Sequence, residues 1–351
     1  GPDMFEDLKF PMSLGSDNHS GVHPKALEAI LAANRGHAHS YGMDPIAKET
    51  EKEFKRVFGE PLDIEYVFNG TGANVLAIKT LLQSFESVLV ADVSHLQVDE
   101  CGAPELLTGC KLIPVPTQSA KITPESLKPF LIRKGDQHYS QPRMLSITQP
   151  TELGTCYSLD EIRELKKLCN EHCLFLHMDG ARLPNAAAFL NVSLKQLTRD
   201  MGVDVLSFGG TKNGLMGAEA IVFFNPQLSK NLRYHRKQAL QLPSKSRFLA
   251  AQFYAFLKND LYKDIASHVH SLAKNLEKRL KQFPEIEVTE PVQSNALFVK
   301  IPKAWIKPLK ERYFFYVWDE NTSVLRWMFS FDFKEQDLDD IVRAIQEVKG
   351  K

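Results

Sequence analysis

The sequence lacks an excess of charge of either sign, since lysine and arginine together number 43 and aspartate and glutamate also number 43. A chain without a net field has no electrostatic attraction to nucleic acid or to an anionic membrane surface. It also lacks any apolar run long enough to span a bilayer, and no charged-then-apolar leader precedes the first helical pattern. These absences predict a cytoplasmic protein that binds neither nucleic acid nor membrane.

Cysteine is also scarce, and the five cysteines have no CxxC spacing; they are Cys101, Cys110, Cys156, Cys169 and Cys173. An odd number without such spacing predicts free thiols in a reducing compartment. The doublets His37-Ala-His39 and His268-Val-His270 have no carboxylate or thiol cluster beside them, so no metal site is predicted. Gly1-Pro2-Asp3, ahead of Met4, is typical of a tag remnant.

Short apolar runs alternate with helical patterns through the middle of the chain. The runs that predict strands are Ser87–Val93, Met144–Ile147, Leu174–Met178, Val203–Phe208 and Ala220–Phe224. Between two of these runs, Ser158 and Glu161 form a capping box that opens an amphipathic helix. Buried apolar strands separated by helices predict an α/β fold with a largely parallel sheet that helices cover on both sides.

The pattern changes after Lys258. A long helix is predicted from about residue 263 to residue 283, followed by the strand candidates Ala296–Ile301 and Val324–Phe331 and a final amphipathic helix. This order of elements is typical of a smaller α+β unit. We therefore predict an N-terminal segment over residues 4–55, a large domain over residues 56–258 and a small C-terminal domain over residues 259–351.

Ligands bind at the carboxyl ends of strands in α/β sheets, so polar residues that follow a strand are the first candidates for a site. The segment Asn69-Gly70-Thr71-Gly72-Ala73-Asn74 precedes the helical run Val75–Leu82. Small residues at a helix start leave backbone N–H groups free to bind an anion, and the helix dipole adds attraction. The segment lacks the lysine of a P-loop and the spacing of GxGxxG, so a nucleotide is not implied. A tight turn capped by asparagine or threonine is the alternative interpretation.

Two charged residues follow other predicted strands. Asp179 ends the apolar run Leu174–Met178, and a buried carboxylate must be either paired or functional. A structural salt bridge to Arg182 is the alternative to a functional role. Lys212 stands among glycines after a buried strand. Desolvation there lowers the pKa of a lysine and favours the neutral amine that forms imines.

His95 lies just beyond the strand candidate Ser87–Val93. A lone histidine is often a capping or core residue, but its place at a strand end makes it a fourth candidate. The four places together suit pyridoxal 5′-phosphate (PLP), which needs a phosphate site, a side chain over the ring, an acid for the ring nitrogen and a lysine for the Schiff base. A protein that binds some other phosphate is the alternative, and it would need neither Lys212 nor Asp179.

The order and spacing of these residues resemble the fold-type I PLP enzymes and, within them, the low-specificity L-threonine aldolases of the aldolase/β-eliminating lyase family. The likeness covers nearly the whole chain, and its motifs together are specific although each alone is weak. They are Ser16-Asp17-Asn18, Ser40-Tyr41-Gly42, NGTGAN at 69–74, His95 with Glu100, Gly135-Asp136-Gln137-His138, TQPTELGT at 148–155, HMDGAR at 177–182, TKNG at 211–214 and Leu325-Arg326-Trp327. The resemblance implies a mostly parallel large domain of the PLP-transferase type with a smaller α+β C-terminal domain.

The resemblance also implies roles around the cofactor. Lys212 matches the Schiff-base lysine, His95 the histidine stacked on the pyridine ring, and Asp179 the partner of the ring nitrogen. Arg182 matches the arginine near the phenolic oxygen, on the substrate side of the ring. The residues implied for the phosphate end are Gly70, Thr71, Gly72 and Thr211.

On the substrate side, Ser16 and Arg326 match the residues that hold the carboxylate, where a guanidinium gives a bidentate grip. His138 matches the histidine near the β-hydroxyl of the substrate. The implied reaction is retro-aldol cleavage of L-threonine or L-allo-threonine to glycine and acetaldehyde. His138, His95 or a bound water is the candidate base.

Two further expectations follow from the family. The chain is expected to form a homo-oligomer, either a dimer or a tetramer. The alternative activity is that of another PLP-dependent amino-acid lyase, either β-eliminating or acting on a different β-hydroxy-α-amino acid such as phenylserine. His138 is the residue that separates an aldolase from such a lyase.

Overall fold

The computed structural model describes residues 4–351, so the predicted tag remnant at residues 1–3 lies outside the described part. The strands are β1 (Asp63–Val67), β2 (Glu86–Ala91), β3 (Lys111–Val115), β4 (Gln141–Thr148), β5 (Phe175–Gly180), β6 (Val205–Gly209), β7 (Glu219–Phe223), β8 (Glu287–Val288), β9 (Ala296–Lys300), β10 (Tyr316–Asp319) and β11 (Val324–Met328).

The α-helices are α1 (Pro24–Ala33), α2 (Pro45–Phe58), α3 (Gly70–Leu81), α4 (His95–Val98), α5 (Ala103–Thr108), α6 (Pro124–Leu127), α7 (Leu159–Glu171), α8 (Leu183–Leu190), α9 (Leu194–Leu197), α10 (Leu232–Gln238), α11 (Arg247–Leu257), α12 (Leu261–Leu280), α13 (Lys303–Arg312) and α14 (Glu335–Lys349). Short 3₁₀ turns include Asp17–His19 and Thr211–Asn213. Within residues 4–351, no helix is both long enough and apolar enough to cross a membrane.

The large sheet has the strand order β1-β7-β6-β5-β4-β2-β3. The strands β3, β2, β4, β5 and β6 run parallel, which confirms the predicted largely parallel sheet. β7 is antiparallel to both β6 and β1. Its first residue therefore lies at the sheet edge where the other strands of this group end.

The local signals behind this sheet act as predicted. β6 and β7 are buried along their whole length, which is why apolar residues dominate both strands, with Ser207 in β6 and Glu219 at the start of β7 as the polar exceptions. The capping box at α7 is present: the Ser158 hydroxyl accepts the Glu161 N–H at 3.0 Å, and a Glu161 carboxylate oxygen accepts the Ser158 N–H at 2.8 Å. The five predicted strands of the large domain are confirmed within a few residues, whereas β1, β3, β8 and β10 are not among the predicted strands.

The C-terminal sheet is antiparallel, in the order β10-β11-β9-β8. Its apolar core includes Trp327 and the inner faces of α12, α13 and α14, and Leu14 joins it from the N-terminal segment. Helix α12 spans both cores, because Leu261 packs in the large one and Val269 in the small one. Phe54 packs in the large core, so residues 4–55 are shared between the two cores. The predicted strand Val324–Phe331 ends earlier, at Met328.

Candidate active site

A cavity of about 470 Å³ opens at the carboxyl edge of the large sheet, facing the C-terminal sheet. Most of the residues that sequence reasoning selects line it. They are Ser16, Gly70, Thr71, His95, Asp179, Arg182, Thr211, Lys212 and Arg326. Gly72 and His138 do not line this cavity: Gly72 borders a smaller one, and His138 lies in a separate surface depression.

The start of α3 forms the anion-binding end of the cavity. The Asn69 side chain caps the helix by accepting the Gly72 N–H at 2.7 Å. The N–H groups of Gly70 and Thr71 also belong to the first turn, so they have no acceptor inside the helix. They are available to an anion, and the positive end of the helix dipole adds to the attraction. The Thr211 hydroxyl accepts the Ala218 N–H at 3.1 Å, which leaves its own proton free to donate.

Gly72 does not line this end of the cavity within residues 4–351, whereas the family resemblance implies a place for it at the phosphate. Its N–H is taken by Asn69, and its Cα faces away from the cavity toward Gln241. A Cβ at position 72 would lie 2.4 Å from the Gln241 side chain. Close packing against Gln241 is one reason for a glycine here, and the part of Gly72 in the phosphate site stays a prediction.

Asp179 ends β5 inside a short hydrogen-bonded chain. Its Oδ2 accepts the Asn74 amide at 3.0 Å, and its Oδ1 accepts the Ala181 N–H at 3.1 Å. The same Asn74 amide donates to Glu100 at 3.0 Å, and Glu100 contacts His95 Nδ1 at 3.0 Å. The groups that donate these hydrogen bonds to Asp179 are uncharged, so its negative charge can still attract a cation in the cavity.

His95 is held by the same chain. The hydrogen bond to Glu100 raises the pKa of His95 above its ordinary value, and it outweighs the opposite effect of burial. If Nδ1 carries the proton that Glu100 accepts, Nε2 of the neutral ring is an acceptor. The imidazole is thus fixed in orientation at the cavity wall.

Lys212 lies in the 3₁₀ turn after β6, and tight packing before it explains the preceding glycines. A Cβ on Gly209 would lie 2.4 Å from the Ala181 carbonyl oxygen, and one on Gly210 would lie 2.6 Å from the Ala218 carbonyl oxygen. The positive charge of Arg182, followed by burial, lowers the pKa of Lys212. Its neutral amine is therefore more accessible than that of a surface lysine.

Arg182 is paired, but not with Asp179. Its Nε and Nη2 donate to the two carboxylate oxygens of Asp17, at 2.7 and 2.9 Å. Asp17 is itself buried and also accepts the Asn295 amide at 3.1 Å. The salt bridge proposed as a structural alternative for Asp179 is therefore made by Asp17 instead.

Arg326 lies on β11 without a carboxylate partner. Its Nη2 donates to the Gly15 carbonyl oxygen at 2.8 Å, which brings Ser16 beside it, and its Nε is buried with no hydrogen-bond partner in residues 4–351. Burial lowers the pKa of the guanidinium to about 10. The guanidinium carbon Cζ of Arg326 lies 5.5 Å from the centre of the Trp318 ring. This is a partly desolvated cation in the cavity that requires an anion.

Two acids in the cavity were not predicted, the half-buried Glu152 and the buried Glu219. Burial raises the pKa of each to about 7. Glu152 accepts the His95 N–H at 3.3 Å, and Glu219 accepts the Gly210 N–H at 2.7 Å. Glu219 begins β7 with an apolar run after it, and this signal could have identified it by the argument applied to Asp179.

His138 lies at the other edge of the large sheet, before the first residue of β4. Its N–H donates to Asp136 at 2.9 Å, and its side chain is exposed in a surface depression with Phe85 and Tyr139. The cavity is reached from the far end of β4, at Thr148, and eight strand residues span roughly 25 Å. His138 therefore cannot reach the cavity of its own chain, and its place near the β-hydroxyl stays a prediction that would need a second copy of the chain.

The two histidines of the doublet His268-Val-His270 contact a carbonyl oxygen and an aromatic ring. His268 contacts the Phe333 carbonyl oxygen at 2.6 Å, and the His270 ring packs edge-on against Phe189. Across residues 4–351, no group of three or more histidine, cysteine, aspartate or glutamate side chains is arranged to hold a metal ion.

The chain belongs to the beta-eliminating lyase family, whose profile matches residues 13–302. Within that class, it is 39% identical to the low specificity L-threonine aldolase of Pseudomonas aeruginosa over 336 residues, 95% of this chain and 97% of the relative. It is 30% identical to that of Saccharomyces cerevisiae over 300 residues, 84% of this chain and 75% of the relative. The solved threonine aldolase of Leishmania major has 27% identity and a TM-score of 0.91, covering 96% of this chain and all of that chain.

Proposed function

We propose that this chain is a PLP-dependent carbon–carbon lyase that cleaves L-threonine and L-allo-threonine to glycine and acetaldehyde. The observation that carries the proposal is that one cavity contains Lys212, Asp179 and Arg326, whose buried Nε has no hydrogen-bond partner within residues 4–351. An amine, an acid and an anion-binding cation in one cavity suit an amino acid bound beside PLP. The likeness to low specificity L-threonine aldolases over 95% of the chain supports the choice of substrate.

The residues present fit PLP. Gly70 and Thr71 would hold the phosphate with backbone N–H groups, and the Thr211 hydroxyl would donate to it. Asp179 would hold the proton of the ring nitrogen, His95 would cover the ring, and Arg182, which also lines the cavity, would lie on the substrate side. When bound, the cofactor supplies a cationic conjugated ring that accepts the electrons of the broken bond.

The substrate carboxylate would bind Arg326 and the Ser16 hydroxyl. The Ser16 oxygen accepts the Asn18 N–H at 3.1 Å, so its hydroxyl proton is free to donate. Fixing the carboxylate sets the rotation about the bond from Cα to the nitrogen. Arg326 and Ser16 would in this way hold the Cα–Cβ bond in the orientation in which it breaks, which is a contribution of orientation.

A base must accept the β-hydroxyl proton as the bond breaks. Within one chain, His95 or a water held by it is the group available at the cavity. His138 would serve only from a second copy, which fits the homo-oligomer, dimer or tetramer, that we also propose. A reducing, cytoplasmic environment is proposed as well, and the free thiols of the five cysteines are consistent with it.

One observation favours a broader substrate range. Phe298 and Trp318 pack edge to face with their ring centres 5.2 Å apart, and both line the cavity near Arg326. An apolar wall of this kind would tolerate a larger β-substituent, so cleavage of phenylserine is the second candidate activity.

A product assay on purified protein tests both candidates. Threonine, allo-threonine and phenylserine should each yield glycine and the matching aldehyde in equal amounts. Serine and cysteine are the controls, since a β-eliminating enzyme would release pyruvate from them. Pyruvate without aldehyde would overturn the aldolase proposal while leaving the family assignment intact.

A further inference from the structure

Glu219 is a buried acid at the phosphate end of the cavity. It is the first residue of β7, and its exposed fraction is 5%. Its Oε2 accepts the Gly210 N–H at 2.7 Å. Its Oε1 lies 3.9 Å from the point where a Cβ on Gly70 would stand, so it borders the anion-binding cup at the start of α3.

An ionised Glu219 carboxylate would repel an anion bound at the start of α3. Two negative charges repel strongly where water is largely excluded, whereas the free N–H groups of Gly70 and Thr71 attract an anion. The conflict disappears if the carboxyl is neutral, because a protonated acid can donate a hydrogen bond to an anion. The absence of any ion pair to Glu219 within residues 4–351 fits this form.

The charged neighbours of Glu219 come from two elements. Lys212, in the turn after β6, favours the ionised carboxylate, and Asp179, at the end of β5, disfavours it. The strand residue opposite Glu219 on β1 is Val67, and the first turn of α3 is Gly-Thr-Gly-Ala, with no titratable side chain. Burial exceeds the effect of Lys212, so the pKa of Glu219 is raised to about 7 even without an anion in the cup.

We propose that Glu219 binds the cofactor phosphate as a neutral carboxylic acid, so that phosphate binding is accompanied by uptake of one proton at this carboxyl. This inference rests on the proposed function, which brings a phosphate to the cup. The proton comes from solvent and stays on Glu219, and its O–H donates to a phosphate oxygen. No other bond forms or breaks.

The sign of the pH dependence follows from linkage. Below pH 7, Glu219 is already neutral, so binding requires no proton uptake at it. Above the pKa of the free site, binding requires the uptake, and the affinity for a phosphate dianion falls by about tenfold for each pH unit. Free phosphate monoesters lose their second proton at a pKa of about 6, so the phosphate is constant in charge over this range. Any proton exchange at the pyridine nitrogen of the ligand is common to all the variants and cancels when they are compared.

The test uses the full chain and pyridoxine 5′-phosphate, which has no aldehyde and forms no link to a lysine. Lys212→Ala is the background, because it removes an amine whose pKa is lowered by the charge of Arg182 and by burial. Affinity and proton uptake are measured by calorimetry between pH 7 and 9.5, in buffers of different ionisation enthalpy. We compare the background with its Glu219→Gln derivative, which keeps an acceptor for the Gly210 N–H. Glu152→Gln in the same background is the matched control, since Glu152 is an acid elsewhere in the cavity whose pKa is also raised to about 7.

The background and the Glu152→Gln control should bind more weakly as pH rises, and Glu219→Gln should take up about one proton fewer than they do, with a correspondingly smaller fall in affinity. Equal proton uptake with and without Glu219 would overturn the inference alone. If the wild-type chain binds neither PLP nor pyridoxine 5′-phosphate, the proposed function fails first. If Glu219→Gln does not fold, infrared difference spectra of the wild-type chain decide. A new band of a protonated carboxyl must then appear on binding, and its absence overturns the inference.

Discussion

The cofactor end and the substrate end of the cavity obtain their charged groups in different ways. At the cofactor end, Asp179, Lys212 and Glu219 come from the adjacent strands β5, β6 and β7 of one sheet. At the substrate end, Ser16 and Arg326 are separated by most of the chain and meet through a hydrogen bond at Gly15. The first end is therefore built by sheet topology, and the second depends on how the N-terminal segment docks on the C-terminal sheet.

The two arginines of the cavity show what this difference means for function. Arg182 donates two hydrogen bonds to Asp17, so its charge is compensated inside the protein. Arg326 has a carbonyl oxygen and aromatic rings around it but no carboxylate. Leaving a buried cation unpaired costs stability, and the cost is consistent with a site whose anion arrives with the substrate.

The largest effect is expected at the cofactor end, from Lys212→Ala. Without this amine no covalent link to PLP can form, so the visible absorption band of the bound cofactor and the cleavage of threonine should both be lost. Borohydride reduction followed by peptide mapping should find the cofactor on residue 212 of the wild-type chain. A Lys212→Ala protein that still turned over threonine would show that the two ends do not divide their roles in this way.

Arg326→Lys should affect the substrate end alone. Lysine keeps the charge but loses the two-pronged geometry, so KM for threonine should rise by about tenfold to a hundredfold, the range of a hydrogen bond to a charged group. The absorption spectrum of bound PLP should stay unchanged.

Arg182→Lys is the matched control for Arg326→Lys, and the two variants are compared by their Tm. Arg182→Lys breaks the bidentate pair with Asp17, so it should lower Tm, whereas Arg326→Lys should leave Tm nearly constant. An unaltered KM in Arg326→Lys would contradict the carboxylate-binding role, and the contrast between the two arginines would no longer have a functional meaning.

The same division explains how much the sequence can predict. Asp179 and Lys212 follow mostly apolar runs, and such runs mark buried parallel strands without knowledge of the rest of the chain. β1 and β3 escape this signal because charged or proline residues interrupt them, as at Glu65 and Pro114. The pairing of Arg182 with Asp17 joins residues 165 positions apart, and no local pattern encodes it.

Glu100→Gln should sharpen the account of the ring-facing side of the cavity. The hydrogen bond to Glu100 raises the pKa of His95, so its loss should lower the midpoint of the His95 titration measured by NMR. A raised pKa stabilises the fold below the unfolded value and stops doing so as pH rises through the folded value. The loss of Tm in Glu100→Gln should therefore be larger at pH 6 than at pH 9. An equal loss at both pH values would mean that Glu100 acts only through Asn74.

His138→Phe should have the smallest effect, because it leaves both ends of its own cavity intact. The exposed imidazole cannot reach across β4, so any role at the β-hydroxyl requires a second copy of the chain. We expect His138→Phe to lower threonine cleavage several-fold while PLP binding and the spectral response to glycine, which has no β-hydroxyl, stay normal. Co-expression with Lys212→Ala separates the routes, because one chain then has the intact cavity and the other the intact His138. Recovery of activity in the mixed oligomers would support delivery between copies. A deficit that persists in them would mean that His138 acts through the fold of its own chain, and unchanged threonine kinetics in His138→Phe would remove it from the site.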